Sequence, residues 1–325
     1  MNSKSAFYFL QICICTYNNC EGLKTTLAAL QRQLPAIERW GVIVIDNNST
    51  DSTKAVCTEL QYSYDLQYYF EPEAGLLSAR IRAIKESYCE WIVFVDDDNE
   101  PHDNFVKEGV LYITKNPLIA GFNGKNILSF EEEVDTTVQN LVCFANGLSN
   151  CNQEKKVPLL YGAGMFLKKI KIQNSHYCTE QFLMDREKNS LVSGGDNELS
   201  IRVAAQGGGL WFNPKCIMTH HIDKRRTKLL YLVKLHLQLA RVEATLDAMN
   251  TDLCFGDWKS SWHCKLRISK NHILYSIWKL LCLRKSPKSL CLEISEAIGT
   301  AYGFTEYVRH KDLRNSTFGY IRKNM

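Results

Sequence analysis

No stretch of this sequence approaches the roughly 18 consecutive apolar residues that a membrane-crossing helix needs, so no spanning segment is expected. The first apolar run, residues 6–15, is too short for one and passes into Thr16-Tyr17-Asn18 without a small-residue cleavage site. It reads as a buried strand and not as a secretion signal. CxxC pairs and Cys/His groups at zinc spacing are missing too, which excludes the common zinc modules. The chain has neither internal repeats nor low-complexity segments. Its 13 cysteines are an odd number, and several (Cys13, Cys15, Cys89, Cys282) sit inside apolar runs. Free, buried thiols in a reducing cytosol are the expectation, and hence a cytoplasmic protein.

What is present is an ordinary globular composition, 45% hydrophobic and 23% charged, over 325 residues. That length accommodates one large core, or a core with an appendage. The net charge of +4 conceals an asymmetry. Residues 226–325 hold 17 Lys/Arg against 8 Asp/Glu, whereas the first 225 hold 22 against 27. Opposite balances in two regions suggest two tasks.

The first half alternates strand and helix patterns. Strands are expected over 7–15, 42–45, 66–70 and 91–95, with helices over 23–34, 52–61 and 76–87. Near-continuous apolar strands in βαβ order predict a mainly parallel sheet covered on both faces. Ligands of such sheets bind beyond the carboxyl ends of the strands. Here those ends read CTYN, DNNSTD and DDDN. Residues 129–157, rich in Asn, Gln and Glu, read as a long loop or insertion, and 162–166 as a resumed apolar segment. A helix is expected over 196–205, stopped by Gly207-Gly208-Gly209, and from about 227 the chain reads as helices.

Several of these ends carry chemistry. Asp96-Asp97-Asp98 closes a buried strand, and three adjacent carboxylates repel unless a cation or hydrogen bonds offset them. Mg²⁺ or Mn²⁺ with a diphosphate would do so; an isolated triplet would more often be a solvated turn. In DNNSTD, Ser49 or Asp51 is a candidate helix cap, while Asp46 and Asn47 offer acceptors to a base N–H. Beside them Thr16, Tyr17 and Asn18 end the first strand, and Tyr17 can stack on a base. Arg80 is balanced between a phosphate or base contact and a plain helix surface, and Arg82 reads as surface. Asp196 and Glu198 open a helix, either as dipole complements or with one serving as a general base. His220-His221, after a short apolar strand, are candidate metal ligands or structural residues.

Taken in order, CTYN (15–18), VIDNNSTDST (44–53), EPEAGLLSAR (71–80), FVDDDN (94–99), GAGMF (162–166), SGGDNELSIRVAAQGG (193–208) and HHIDKRR (220–226) resemble the family-2 glycosyltransferases of the GT-A fold. The resemblance covers about residues 10–226. It implies a GT-A (Rossmann-like) α/β domain over 1–226, with a nucleotide-sugar half to about 128 and an acceptor half over 129–226. Residues 227–325 are then a helical extension. It further implies inverting, metal-dependent transfer from a nucleoside-diphosphate sugar, most often a UDP-sugar, to a glycan or lipid-linked glycan hydroxyl. By position, Cys15, Tyr17, Asn47 and Arg80 would surround the base, with Thr16, Asn18, Asp46 and Asp96 in the same nucleotide-sugar site. Asp97 and Asp98 would serve ribose and metal, Asp98 and His220 would hold Mn²⁺ or Mg²⁺, and Asp196 would be the catalytic base. Glu198, Gly164 and Met165 would belong to the acceptor side. Three positions depart from the family pattern: Asn47 stands where Asp is frequent, Gly195 where Glu usually precedes the catalytic Asp, and Ile81 where Asn often follows the Arg.

Between Asp257 and Glu293 no acidic residue occurs, while eight basic residues and Trp258, Trp262, Tyr275 and Trp278 do. This is the pattern of a segment lying on an anionic membrane surface, here over 258–292, at the inner face of the membrane. The plainer reading packs its apolar stripe on the catalytic domain. No nucleic-acid module is visible, so nucleic acid is not an expected partner. A nucleotidyltransferase would want a Gly-rich phosphate loop after the first strand, which CTYNNCEG lacks. A non-catalytic binding module is the remaining alternative.

Overall fold

The computed structural model describes residues 7–144, 148–183, 191 and 193–324. Strands β1 (Tyr8–Thr16), β2 (Trp40–Asp46), β3 (Leu66–Phe70) and β4 (Cys89–Phe94) alternate with helices α1 (Cys20–Gln31), α2 (Thr53–Thr58) and α3 (Leu76–Glu86). They pair in parallel in the order β3-β2-β1-β4. Successive side chains point to opposite faces of a strand. Leu10, Ile12 and Ile14 of β1 therefore join one core cluster, with Val42, Val44, Trp91 and Val93. Cys13 joins the other face, with Ile43, Ile45, Ile92 and Phe94. Both faces are covered, which is why these strands read as continuous apolar runs.

The chain then forms β5 (Asn99–Pro101), α4 (Phe105–Lys115), β6 (Gly121–Phe130), the short α5 (Thr136–Gln139), β7 (Lys155–Val157) and β8 (Met165–Lys168). Helices α6 (Lys169–Asn174) and α7 (Gly195–Ala205) lead into the long β9 (Leu210–Ile222). The parallel order expected from the sequence holds as far as β4. Beyond it β8 lies antiparallel between β4 and β6, while β6 and β9 run parallel. No long helix separates β6 from β8, so the chain returns along the sheet in the opposite direction, as antiparallel neighbours permit. Phe122 and Phe166 stack across this junction with ring centroids 4.2 Å apart. The stretch expected as a loop over 129–157 is thus broken up, because β6 extends into it and α5 and β7 lie within it.

All 13 cysteines are unbridged, as expected. Cys13, Cys57, Cys89 and Cys216 are buried, but Cys282 is exposed and not in a core.

After β9, helices α8 (Leu229–Met249), α9 (Phe255–Leu281), α10 (Pro287–Arg309), α11 (Lys311–Thr317) and α12 (Tyr320–Asn324) form the helical region. α10 lies backbone to backbone on α8: a Cβ at Gly303 would stand 2.0 Å from the Arg241 carbonyl oxygen. Trp258 and Trp262, expected at a membrane surface, are buried against Phe304 and Tyr307. Both indole N–H groups donate to one carboxylate oxygen of Asp247, at 2.8 and 2.6 Å. A buried indole needs such an acceptor, and with it these two tryptophans are core residues. Among the described residues no helix is long and apolar enough to cross a membrane.

Candidate active site

The carboxylate turn follows β4 directly. Thr16 Oγ1, at the end of β1, donates to Asp97 Oδ2 at 2.6 Å, and Asn19 Nδ2 donates to the Asp97 carbonyl at 3.4 Å. Burial, and then the negative charge of Asp98, push the Asp97 carboxyl up to about 7. Asp98 points elsewhere. Its Oδ1 accepts from Asn99 Nδ2 at 3.2 Å, and its Oδ2 accepts from Arg226 Nη1 at 2.7 Å.

β9 brings His220 to the same point. Asn99 of β5 is its register partner, so the start of β5 fixes the spacing between the carboxylate turn and the strand. His220 Nδ1 lies 3.0 Å from the Phe144 carbonyl. A carbonyl only accepts, so Nδ1 carries a hydrogen and donates to it. Nε2 faces Asp98 Oδ2 at 3.4 Å and Arg226 Nη1 at 3.4 Å. His221, one residue on, points to the opposite face and bonds Glu100 at 3.0 Å.

The Arg226 guanidinium thus sits against both groups, and its charge offsets that of Asp98. Asp98 and His220 also fit a divalent ion, the imidazole being oriented by its hydrogen bond to the Phe144 carbonyl beside a carboxylate. Among the described residues no cluster of three or more His, Cys, Asp or Glu could hold a metal. An ion held by Asp98 and His220 would take the rest of its shell from phosphate and water oxygens.

Asp196, which lines the same cleft, stands in the first turn of α7. Its Oδ2 accepts from the Gly162 backbone N–H at 2.6 Å and its Oδ1 from the Asn197 N–H at 2.9 Å. A Cβ at Gly162 would lie 2.7 Å from Arg80 Nη2 and 3.2 Å from Asp196 Oδ2. Only glycine lets the backbone approach both groups, so Gly162 holds the arginine and the carboxylate in register. Arg80 is buried on α3 and lines the cleft, whereas Arg82 pairs with Glu86 at 3.0 Å, as a surface arginine.

Glu198 does not line the cleft. Its carboxylate, fully buried, accepts from the Phe182 and Leu183 N–H groups and pairs with Arg202 at 2.8 Å. Burial raises its pKa in spite of these partners. Of the two acids in this helix, the structure brings only Asp196 to the cleft.

Asp46 and Asn47 do not line the principal cleft either; they shape the loops beside it. Asp46 accepts from the Ser49 N–H at 2.8 Å and from Tyr68 Oη at 2.7 Å. Asn47 Oδ1 accepts from the Gly75 N–H and its Nδ2 donates to the Glu73 carbonyl, which folds 71–75 back on β2. Asn18 accepts from the Thr50 N–H at 2.7 Å and donates to Ser49 Oγ at 3.0 Å. Asp51 accepts from the Thr53 and Cys20 N–H groups. Ser49 and Asp51 thus brace the loops after β1 and β2 more than they cap a helix. Cys15, Tyr17 and Asp96 line the cleft, with the Tyr17 ring 60% exposed. Gly164 and Met165 lie behind it, where the Gly164 N–H donates to Phe94 and β8 begins.

The cleft measures about 1280 Å³. Arg226, His236 and Glu296 are among the lining residues that carried no expected role. His236 of α8 lies 3.7 Å from Glu296 of α10, and this contact holds the Glu296 carboxyl below its usual range. The helical region is therefore one wall of the cleft. Arg226 sits in the HHIDKRR run, but nothing in the run distinguishes it from Lys224 and Arg225, which face solvent.

The profile of "Glycosyl transferase family 2" matches residues 11–187, more than half of the chain. The chain belongs to that family. It is a glycosyltransferase. It is 26% identical over 223 residues to "Glycosyltransferase AglE" of Haloferax volcanii, covering 66% of this chain and 68% of that one. It is also 33% identical over 89 residues to "Validoxylamine A glucosyltransferase" of Streptomyces hygroscopicus subsp. jinggangensis, covering 27% of this chain and 21% of that one. Among solved structures, S. aureus TarS 1-349 in complex with UDP-GlcNAc superposes with a TM-score of 0.54 at 16% identity, over 96% of this chain and 89% of that one. A second structure of TarS matches over 77% of this chain but only 41% of its own, with a TM-score of 0.52 and 14% identity. The GT-A fold of the transferase is thereby shared with TarS.

Proposed function

We propose that this transferase moves a sugar, with inversion, from a nucleoside-diphosphate sugar, UDP-linked by preference, to a hydroxyl of a glycan or lipid-linked glycan. The observation that carries the reading is one cleft lined by the Asp98–His220 pair and by Asp196. The UDP-GlcNAc and UDP complexes of TarS support the choice of donor. Tyr17 stacks on the base, and Cys15 and Arg80 flank it. Asp46, Asn47 and Asn18 hold the loops that frame it, and Asp97 with Thr16 serves the ribose. A Mg²⁺ or Mn²⁺ ion held by Asp98 and Nε2 of His220 would neutralise the departing diphosphate.

Asp196 takes the proton of the acceptor hydroxyl as its oxygen bonds the anomeric carbon, and the bond from that carbon to the diphosphate breaks. The Gly162 and Asn197 N–H groups fix the carboxylate for this role. The transferase works in the cytoplasm, at an anionic membrane surface that presents the acceptor.

Thermal melting with UDP, GDP and CDP, with and without Mn²⁺, tests the reading in wild type and Asp98→Ala. A nucleotide at about a hundred times its dissociation constant adds roughly 2.7 kcal/mol. On the entropy of a chain this long that raises Tm by about 4 °C. A Mn²⁺-dependent shift with UDP, lost in Asp98→Ala, is expected. No shift with any nucleotide would refute the proposal.

A further inference from the structure

α9 changes character along its length. Trp258 and Trp262 in its first half are core residues, but its second half exposes a row of large apolar side chains. Leu274, Trp278 and Leu281, at spacings of four and three, are 57%, 49% and 77% exposed and share one helical face. Tyr275 stacks on Trp278 with centroids 5.7 Å apart. Leu283, in the turn to α10, is 92% exposed with φ +55°. Lys270, Lys279 and Arg284 flank the row, and none has an acidic partner among the described residues. By contrast Lys285 is held by Ser276 and Glu293, and Lys288 pairs with Asp135 at 2.7 Å.

We propose that the distal half of α9 and the turn after it are a docking surface for an anionic lipid bilayer. Trp278 and Tyr275 lie at headgroup depth, and Leu274, Leu281 and Leu283 reach the acyl boundary. The charges select this occupant. The stretch 258–292 has no acidic residue, so a second copy of the surface would repel the first. A nucleic acid would engage the lysines but not leucines projecting from a turn. Tryptophan and tyrosine beside lysine form the usual interfacial belt. Lys288 ties the foot of α10 to Asp135, in the segment that continues to Cys143 and Phe144 at the rim of the cleft. Docking therefore presents the acceptor side of the cleft to the membrane. This orientation rests on the proposed function; the binding itself does not.

Flotation of the full chain with phosphatidylglycerol-rich vesicles, and with pure phosphatidylcholine vesicles, tests the surface. One variant carries Lys270→Glu, Lys279→Glu and Arg284→Glu; another carries Trp278→Ser and Leu281→Ser. All five positions lie outside the buried cores, so both variants should melt with wild type. Wild type should float with the anionic vesicles, less so at high salt, and remain below with the neutral ones. Removing three basic groups alone should weaken partitioning on the order of a hundredfold, and the apolar pair should also abolish flotation. Three outcomes overturn the proposal: no flotation at low salt, flotation unchanged in both variants, or dimerisation or RNA binding in place of flotation. The UDP melting shift is read on the same samples. Its survival without flotation sinks only the docking surface, and flotation without it sinks only the donor assignment.

Discussion

Two acids two residues apart, Asp196 and Glu198, open the same helix, and replacing Glu198 by Gln decides which of them is chemical. Glu198 is fully buried and Arg202 is 1% exposed. The arginine lies over the Phe182 ring at 4.0 Å and near Tyr320 at 5.4 Å, with the Glu198 carboxylate as its counter-charge. Neutralising Glu198 strands a buried guanidinium, which typically costs about 3–5 kcal/mol. At about 1.5 °C per kcal/mol for a chain of this length, Tm should fall by about 4–7 °C. The glutamine carbonyl still accepts from Phe182 or Leu183, so the loss reports the charge and not the backbone bonds. Adding Arg202→Met removes the stranded charge and should restore most of the stability, because a buried pair exchanged for apolar groups is often neutral. Below both melting transitions, UDP release from a UDP-sugar should stay within tenfold of wild type in Glu198→Gln. In Asp196→Asn it should fall by about a hundredfold or more. A Glu198→Gln protein with unchanged Tm and turnover as low as that of Asp196→Asn would refute this division of roles.

Two further expectations follow from the same geometry. Gly162→Ala places a methyl 2.7 Å from Arg80 Nη2 and 3.2 Å from Asp196 Oδ2, so one of them must move. Asp196 need give by only a few tenths of an ångström, so turnover should fall, but by less than the roughly hundredfold that a displacement of about 1 Å at a reacting group costs. Tm should change little, and a variant with wild-type kcat would show that the close approach is idle. The second concerns pH. The Asp97 carboxyl keeps its proton in the fold up to about 7, whereas in the unfolded chain it releases it near 3.8. Its contribution is therefore fully present below the lower value and is lost as pH rises to the upper one. Without metal, stability should decline across this window, and Asp97→Asn should flatten the decline. Equal slopes in melting curves from pH 4 to 7 would contradict the raised pKa.

Residues 7–95 folded as read because their signals are local. β1, β2 and β4 are covered on both faces and so show as continuous apolar runs, and the polar turns that end β1 and β4 are where the cleft opens. The carboxylate turn and Asp196 were legible for the same reason. β6 was not, since Asn123, Lys125, Asn126 and Ser129 interrupt its apolar pattern. Asn123 is buried because its amide bonds the Tyr161 backbone, a partner 38 residues away that no window on the sequence contains.

The sequence by itself determined the class of fold and enzyme: parallel strands with polar carboxyl ends, an acidic turn after one of them, and a basic, aromatic carboxy-terminal region. Tertiary structure alone decided which members of each set meet. It turned His220 rather than His221 to Asp98, because side chains alternate along β9 and Asn99 fixes the register. It committed Glu198 to Arg202 and left Asp196 in the cleft. It set Arg226 against Asp98, a contact spanning 128 residues. It also divided the aromatic stripe of α9, burying Trp258 and Trp262 on Asp247 and leaving Trp278 outside. Composition and periodicity name the groups a chain can offer. Which of them meet is fixed by contacts between residues far apart in sequence, and these form only when the core closes.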